Sequence, residues 1–512
     1  MKRVILAILG TGLLLFAQLL MAQVGSSASE RSYRRARLVL AAGVNALGGQ
    51  AAIESAANFS IKMRGKSYQI FASRTPEPPF EGWPFERTGI IDSKNRRLWL
   101  EEKLQSSTFD YVWWPRTIVT GDHGYFINLH SKTVAPLANT SFSEYRSWIQ
   151  LIPHNILAEA LQRAATLRWV GESKVAGRQC DVITYATSSG QQISLYFDYK
   201  SHLLTKYDFL YARNSVGDTS REFIFTGYHD IEGIKVPGRR VGYNAGHLSS
   251  EAEYIEVKFN PPVADSLFAL PAGITILEVN EPEPIVTKLS DDVYALQNLP
   301  GGYNVFFVAF NDYILVAEAP ESDVRSGLSE QAITMIKDAV PGKPIKYLIL
   351  THHHGDHASG ARAYIAEGTT IVTTPGNRPF IQSLAAARFE ISPDALARNP
   401  HSLSIETIAN KNRTFADNRH EVEVHDIGPI DHAREMVVVY LPRERILFQS
   451  DLFNPIIPGE PVSLDSVYHG IAASDSASLL KFIEVKNWKV ERIVGSHGRI
   501  ATFEELKRSV RP

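Results

Sequence analysis

Five side chains of metal-binding type, four of them candidate ligands once His353 is set aside, fall within six consecutive positions, at His352-His353-His354-Gly355-Asp356-His357. The run Ile345-Lys346-Tyr347-Leu348-Ile349-Leu350 precedes them, joined by Thr351. Such a run reads as a buried strand, and Ala358-Ser359-Gly360-Ala361 as the start of a helix. The cluster then belongs on the loop leaving the C-terminal end of a strand, where α/β layouts bind their ligands. Imidazole and carboxylate are ligands for zinc and similar divalent ions. In an extended loop His352 and His354 face one side and His353 the other. Asp356 and His357, at the turn into the helix, aim at a second point nearby. One short segment therefore offers two ligand pairs for two adjacent metals. A histidine-rich surface loop, or core histidines with ordinary partners, is the competing reading. It suits a lone imidazole and is kept for His353.

Three further candidates follow, each beside the end of an expected strand. His432 stands in Gly428-Pro429-Ile430-Asp431-His432-Ala433, ahead of the strand Met436 to Tyr440. Asp451 comes just after Ile446 to Gln449, and His497 just after Arg492 to Val494 in Gly495-Ser496-His497-Gly498. Singly they could be a surface residue, a cap and a turn residue. With His352, His354, Asp356 and His357 they make seven, enough for two ions with positions open to water or substrate.

A chain of 512 residues should hold more than one domain. Its 53 basic and 55 acidic side chains nearly cancel, so no basic excess points to nucleic acid as a partner. Lys2 and Arg3, the apolar run Val4 to Met21 and the small residue Ala22 read as a secretory signal peptide over residues 1–22, with Ala28 as an alternative cleavage point. The expected location is periplasmic or secreted, with no stable membrane insertion after cleavage. An uncleaved anchor is the alternative, since the run is about long enough to span a bilayer. Cys180 is the only cysteine. An internal disulfide and multi-cysteine zinc sites are therefore excluded, and Cys180 itself reads as strand packing.

Arg31 to Ala46 has helical periodicity and is stopped by Leu47-Gly48-Gly49. From Ala57 to Pro271 the signal is antiparallel β, as in the alternation Ile193, Leu195, Phe197, with turns such as Asp92-Ser93-Lys94-Asn95. One helix interrupts, with Pro153 in its first turn and Ile156, Leu157, Ala160, Leu161 and Ala164 as its apolar stripe. The aromatics between Phe80 and Trp114 read mostly as sheet packing, with a minority available to line an apolar groove. Glu278 to Pro284, acidic and with two prolines, marks a boundary between a β-rich domain over 30–277 and a second over 285–512. In the latter, helices are expected over Ser322 to Ala339, Ala358 to Ala366 and Pro379 to Arg388. Ile391 to Asn418 reads as an insertion beside the site.

His352-x-His354-x-Asp356-His357, then His432, Asp451 and His497 in that order, resemble the metallo-β-lactamase-fold superfamily over about Pro284 to Pro512. The Thr-His-His-His start also resembles glyoxalase II. The strand-rich region, with Leu47-Gly48-Gly49 and Gly233-Ile234-Lys235-Val236-Pro237, resembles the half-barrel of the periplasmic lipoprotein carriers. The resemblances imply a two-domain α+β protein, an N-terminal antiparallel β half-barrel with helices followed by a C-terminal αββα sandwich. They place His352, His354 and His432 on a first metal and Asp356, His357 and His497 on a second, with Asp451 bridging. Many members of the superfamily carry Asp where this chain has Glu318-Ala319-Pro320. Glu318 is thus expected to orient the motif rather than bind metal.

The function so implied is a secreted metal-dependent hydrolase. A hydroxide held by two divalent ions, zinc first with iron or manganese as alternatives, would attack an ester, lactone, amide or related bond. Asp356 would both bind metal and handle the proton. The competing readings are a mononuclear iron persulfide-type dioxygenase and a non-catalytic protein binding a lipid or other apolar ligand. The expected partner is a small molecule, with an apolar one suggested by the half-barrel. Oligomeric state and substrate contacts are not specified by the sequence, beyond the loops Ile391 to Asn418 and Tyr468-His469 as candidate pocket walls.

Overall fold

The computed structural model describes residues 27–512 apart from 57, 106–111, 130–131, 138–144, 274, 277–281, 323–325, 409–411, 456–472 and 511–512. The signal segment, most of the expected boundary at Glu278 to Pro284, and Tyr468-His469 lie outside the described residues. Among the described residues no helix is long and apolar enough to cross a membrane. The chain forms two compact units.

The first unit comprises the described part of Met1–Ala57 with Ser147–Phe209 and Glu222–Gly238. Its first helix, Ala28–Leu47, begins where Ser27 Oγ accepts a hydrogen bond from Glu30 N at 3.1 Å. Ala36, Val39, Leu40, Gly43, Val44 and Leu47 are buried along it, the spacing of a single helical face. Gly48 ends it at φ 137°, where a Cβ would stand 2.4 Å from Gly233 O, so a side chain does not fit. The helix Pro153–Gln162 shares one core with it, filled by Ile183, Tyr185, Leu195, Phe197, Phe223 and Phe225 of the antiparallel strands. Cys180 is buried in the strand Arg178–Ala186, in the packing role expected of it.

The second unit comprises Asn58–Arg146, Leu210–Arg221 and Arg239–Pro512. Its N-terminal part is a large antiparallel sheet in the order Thr133–Leu137, His123–Asn128, Pro115–Thr120, Arg97–Gln105, Gly82–Asp92, Asn58–Tyr68, His247–Phe259, Arg239–Asn244. The aromatics of this sheet are interleaved with cations. Arg87 lies 4.5 Å over Phe85, Arg116 5.2 Å over Trp99 and Lys103 5.2 Å over Trp114.

The C-terminal part holds two more sheets. One runs Ile285–Ser290, Val293–Leu299, Tyr303–Ala309, Ile314–Ala317, Ile345–Ile349, Thr370–Thr373, Ser404–Thr407. The other runs Asn412–Ala416, Glu421–Asp426, Val437–Leu441, Ile446–Gln449, Arg492–Gly495, Ala501–Thr502. Tyr303–Ala309 is buried at every position, because both its faces are covered. Phe306 and Val308 meet Val424, Val439 and Phe448 of the second sheet. Val305 and Phe307 meet Ile333, Ile336 and Tyr364 of the helices Leu328–Ala339 and Ala361–Ala366. The helices Ala473–Lys486 and Phe503–Val510 join Val438, Leu447 and Ile493 through Leu479, Ile483 and Leu506.

Three expectations are corrected. The single helix Ala358 to Ala366 is two, Gly355–Ala358 and Ala361–Ala366. At Gly360 between them, a Cβ would stand 2.0 Å from Ser329 Oγ and 2.7 Å from Ala319 O. The helix expected from Ser322 begins at Leu328, after Gly327 in a left-handed conformation at φ 90°. Ile391 to Asn418 is not an insertion: it carries the edge strand of one sheet, Ser404–Thr407, and the first strand of the other, Asn412–Ala416.

Candidate metal centre

Strand direction explains why distant side chains meet. Ile314–Ala317 runs parallel to Ile345–Ile349, so Glu318 and the loop His352 to His357 leave at the same edge. Ile446–Gln449 runs parallel to Arg492–Gly495, which brings Asp451 and His497 out together. Val437–Leu441 is antiparallel to Ile446–Gln449, so His432 enters where Asp451 leaves.

The seven side chains marked in the sequence fall into two groups able to hold metal ions. Ligand atoms of His352, His354, His432 and Asp451 lie within 4.8 Å of one another, as do those of Asp356, His357 and His497. Asp451 Oδ2 is 3.2 Å from His432 Nε2, 3.6 Å from His352 Nε2 and 2.9 Å from His357 Nε2. Its Oδ1 is 3.3 Å from His497 Nε2. One carboxylate thus touches rings of both groups. Asp356 Oδ2 lies 3.1 Å from His357 Nε2 and 3.8 Å from His497 Nε2. His353 belongs to neither group; it is buried with Nε2 2.8 Å from Ser73 O.

The electrostatics favour a cation. His352 Nε2 faces His432 Nε2 at 3.2 Å, and His357 Nε2 faces His497 Nε2 at 3.4 Å. Two imidazole nitrogens this close need a proton or a cation between them. Burial, reinforced by neighbouring imidazoles, holds His352 and His354 well below the ordinary histidine range. Burial acts the same way on His357, but Asp356, Asp451 and Glu318 outweigh it and hold that ring well above the range. Asp451 and Asp475 likewise outweigh burial at His432 and hold it up at about 9. Burial would raise Asp451, yet His357, His432 and His497 hold it well below the carboxylate range. His352 and His354 are thus neutral and Asp451 ionised, the forms that bind divalent cations, while at His357 and His432 a bound cation would take the place of the ring proton.

Glu318 lies outside both groups, fully buried at φ 87°. Its Oε2 accepts from Thr351 Oγ1 at 3.0 Å, Ser450 Oγ at 2.9 Å and Ser496 Oγ at 2.7 Å. These three hydroxyl residues immediately precede His352, Asp451 and His497. Thr351 Oγ1 also accepts from His352 Nδ1 at 3.0 Å, which leaves His352 Nε2 for a ligand. Asn304 Nδ2 donates to Gly495 O at 2.9 Å and Gly498 O at 2.7 Å, bracketing His497.

Sequence reasoning missed Ser450, Ser496, Asn304, Asp475 and Ser73. Adjacency to Asp451 and His497 was an available signal for the two serines. Nothing in the sequence marked the other three.

Residues 326–497 match the family described as the metallo-beta-lactamase superfamily. The matched span contains all seven grouped side chains and stops short of Glu318. The chain is similar to a solved metallo-beta-lactamase from Pontibacter korlensis, at 21% identity over 44% of this chain and 97% of that one, with a TM-score of 0.32. It is similar to the metallo-beta-lactamase FIM-1 from Pseudomonas aeruginosa in its mono-zinc form, at 20% identity over 45% and 94%, TM-score 0.33. It is also similar to the flavodiiron protein from Giardia intestinalis, at 18% identity over 45% and 58%, TM-score 0.33. No curated protein sequence matches it. The chain thus joins a large N-terminal antiparallel sheet to a C-terminal part of metallo-beta-lactamase fold.

Proposed function

We propose that the chain is a secreted metal-dependent hydrolase of the metallo-β-lactamase superfamily, acting on an ester, lactone, amide or related bond. The observation that carries this reading is the placement of Asp451, within 3.3 Å of His432 and His357 through one oxygen and of His497 through the other. A carboxylate so placed suits a bridge between two cations, and the nitrogen-rich donor set suits zinc. The shared core of the two C-terminal sheets, with helices on their other faces, supports an αββα sandwich over 285–512. The long sheet over the N-terminal part supports the half-barrel reading. Secretion to the periplasm is proposed from residues 1–22 alone.

Divalent ions bound in these groups would lower the pKa of water and polarise the electrophile's oxygen. The chain's own residues do the rest. Glu318 fixes the spacing of the three ligand-bearing loops through Thr351, Ser450 and Ser496. Asp356 keeps a quarter of its side chain exposed, 25% against 0% for His357. It is therefore the grouped carboxylate open to exchange a proton with the nucleophile and then with the leaving group.

The test is to strip the purified protein with chelator and assay it on a panel of esters, lactones and amides, with and without added zinc. Loss of turnover on stripping and recovery on reloading are expected. Full activity in metal-free protein, or turnover retained by His354→Ala, would reject the reading. Iron as sole metal with oxygen consumption would favour an oxygenase.

A further inference from the structure

We infer that the segment Gln69 to Glu81, between the strands Asn58–Tyr68 and Gly82–Asp92, is a working part of the metal centre. Its Ser73 carbonyl orients His354 so that Nδ1, not Nε2, meets the ion. The inference rests on the metal-site reading above and assigns a role to a segment far from the motif in sequence.

Ser73 O lies 2.8 Å from His353 Nε2 and 3.1 Å from His354 Nε2. A carbonyl oxygen only accepts, so each ring carries its proton on Nε2. The lone pair of His354 is then on Nδ1. Ser73 and both rings are buried, so water does not compete for these bonds.

The segment is fastened to both ligand loops. Gly355 N donates to Phe71 O at 3.2 Å, beside His354 and Asp356. Arg74 Nε donates to Ile430 O at 2.8 Å, and Arg434 N to Arg74 O at 2.9 Å, on either side of His432. Glu81 N donates to Ser73 Oγ at 3.2 Å, and the Arg213 guanidinium sits 3.7 Å over the Phe71 ring. Tyr68 and Gly82 already face each other across the hairpin. A two-residue turn would close it there. The extra chain instead reaches into the site, and a hydrogen bond to the non-ligating nitrogen of a metal-binding histidine fixes its tautomer and raises its basicity.

The test compares the full chain with two variants: one in which Gln69 to Glu81 is replaced by Asn-Gly, and the milder Arg74→Ala. Zinc affinity is read by chelator competition, and the ring nitrogens by NMR of ¹⁵N-histidine-labelled protein. The shortened variant should bind its first zinc roughly 10–100-fold more weakly and lose the protected His354 Nε2 proton. Arg74→Ala should move the same way by less. Unchanged affinity and an unchanged His354 signal in both variants would overturn the inference. Should the shortened variant fail to fold, Arg74→Ala and the unmodified chain decide: a proton on Nδ1 of zinc-loaded His354 overturns the inference by itself. A full chain that binds no zinc overturns the metal-site reading as well, whereas normal zinc binding indifferent to the segment overturns this inference alone.

Discussion

Asp475 Oδ2 stands 3.7 Å from Nδ1 of His432, on the opposite side of the ring from the Nε2 that faces Asp451 at 3.2 Å. Asp475 is buried in the first turn of the helix Ala473–Lys486. It holds the His432 ring with Nε2 inward, and carboxylates in that position typically govern metal affinity by about 10-fold or more. Asp475→Asn should weaken the first zinc by about that factor, measured by chelator competition. It should leave the Asp356, His357 and His497 group unchanged. Unaltered affinity would reduce Asp475 to a favourable charge at a helix N-terminus.

Glu318 should be worth more to folding than an ordinary buried acid. Removing its carboxylate leaves the hydroxyls of Thr351, Ser450 and Ser496 without that acceptor. The cost is about 1–3 kcal/mol for each group left unsatisfied. The backbone adds a second signature, since φ 87° is unfavourable for any residue with a Cβ. Glu318→Ala should therefore lose about 3 kcal/mol or more, and Glu318→Gly about 1 kcal/mol less than that. Denaturant unfolding of both variants gives the comparison. Equal losses would show that the conformation carries no strain.

Much of the layout was open to a reader of the sequence. Strands buried on both faces, such as Tyr303–Ala309, announce themselves as unbroken apolar runs. The grouped side chains stand out because imidazoles and carboxylates beside strand ends are rare without a purpose. The helix Ala473–Lys486 was not legible: its first half, Ala-Ser-Asp-Ser-Ala-Ser, offers no apolar stripe. The supporting contacts were illegible for a deeper reason. Ser73 acts through a carbonyl that every residue possesses, and it lies 280 positions from His353. Asn304 and Asp475 act through side chains common in any turn or helix start.

Asn304 gives a prediction for the second group. Its side chain donates to Gly495 O and Gly498 O and accepts from Asn298 N at 3.2 Å. Asn304→Ala strands those backbone groups and should cost about 2–4 kcal/mol. It should also weaken the second zinc more than the first, because His497 sits between the two glycines. Sequential zinc titration checks the order. Equal weakening at both groups would mean that the loop of His497 is held by other contacts.

His154 sets a pH dependence in the first unit. It is fully buried, with Nε2 donating to Ala56 O at 2.9 Å, and burial lowers it to about 4. The folded form resists protonation while the unfolded form takes a proton near 6.5. Its contribution is thus fully present above about pH 6.5 and is lost as pH falls towards about 4, on the order of 3 kcal/mol in all. His154→Gln keeps a donor for Ala56 O and does not titrate. Its denaturant midpoint should fall less than that of the unmodified chain between pH 7 and pH 4.5. Parallel falls would assign the acid sensitivity to other groups.

Elemental analysis of the purified chain decides whether a pair of cations is shared across Asp451. Two divalent ions per unmodified chain are expected, with both groups losing affinity in Asp451→Ala. A chain that carries no metal after zinc loading, or an Asp451→Ala variant that keeps the full complement, would contradict such a shared pair.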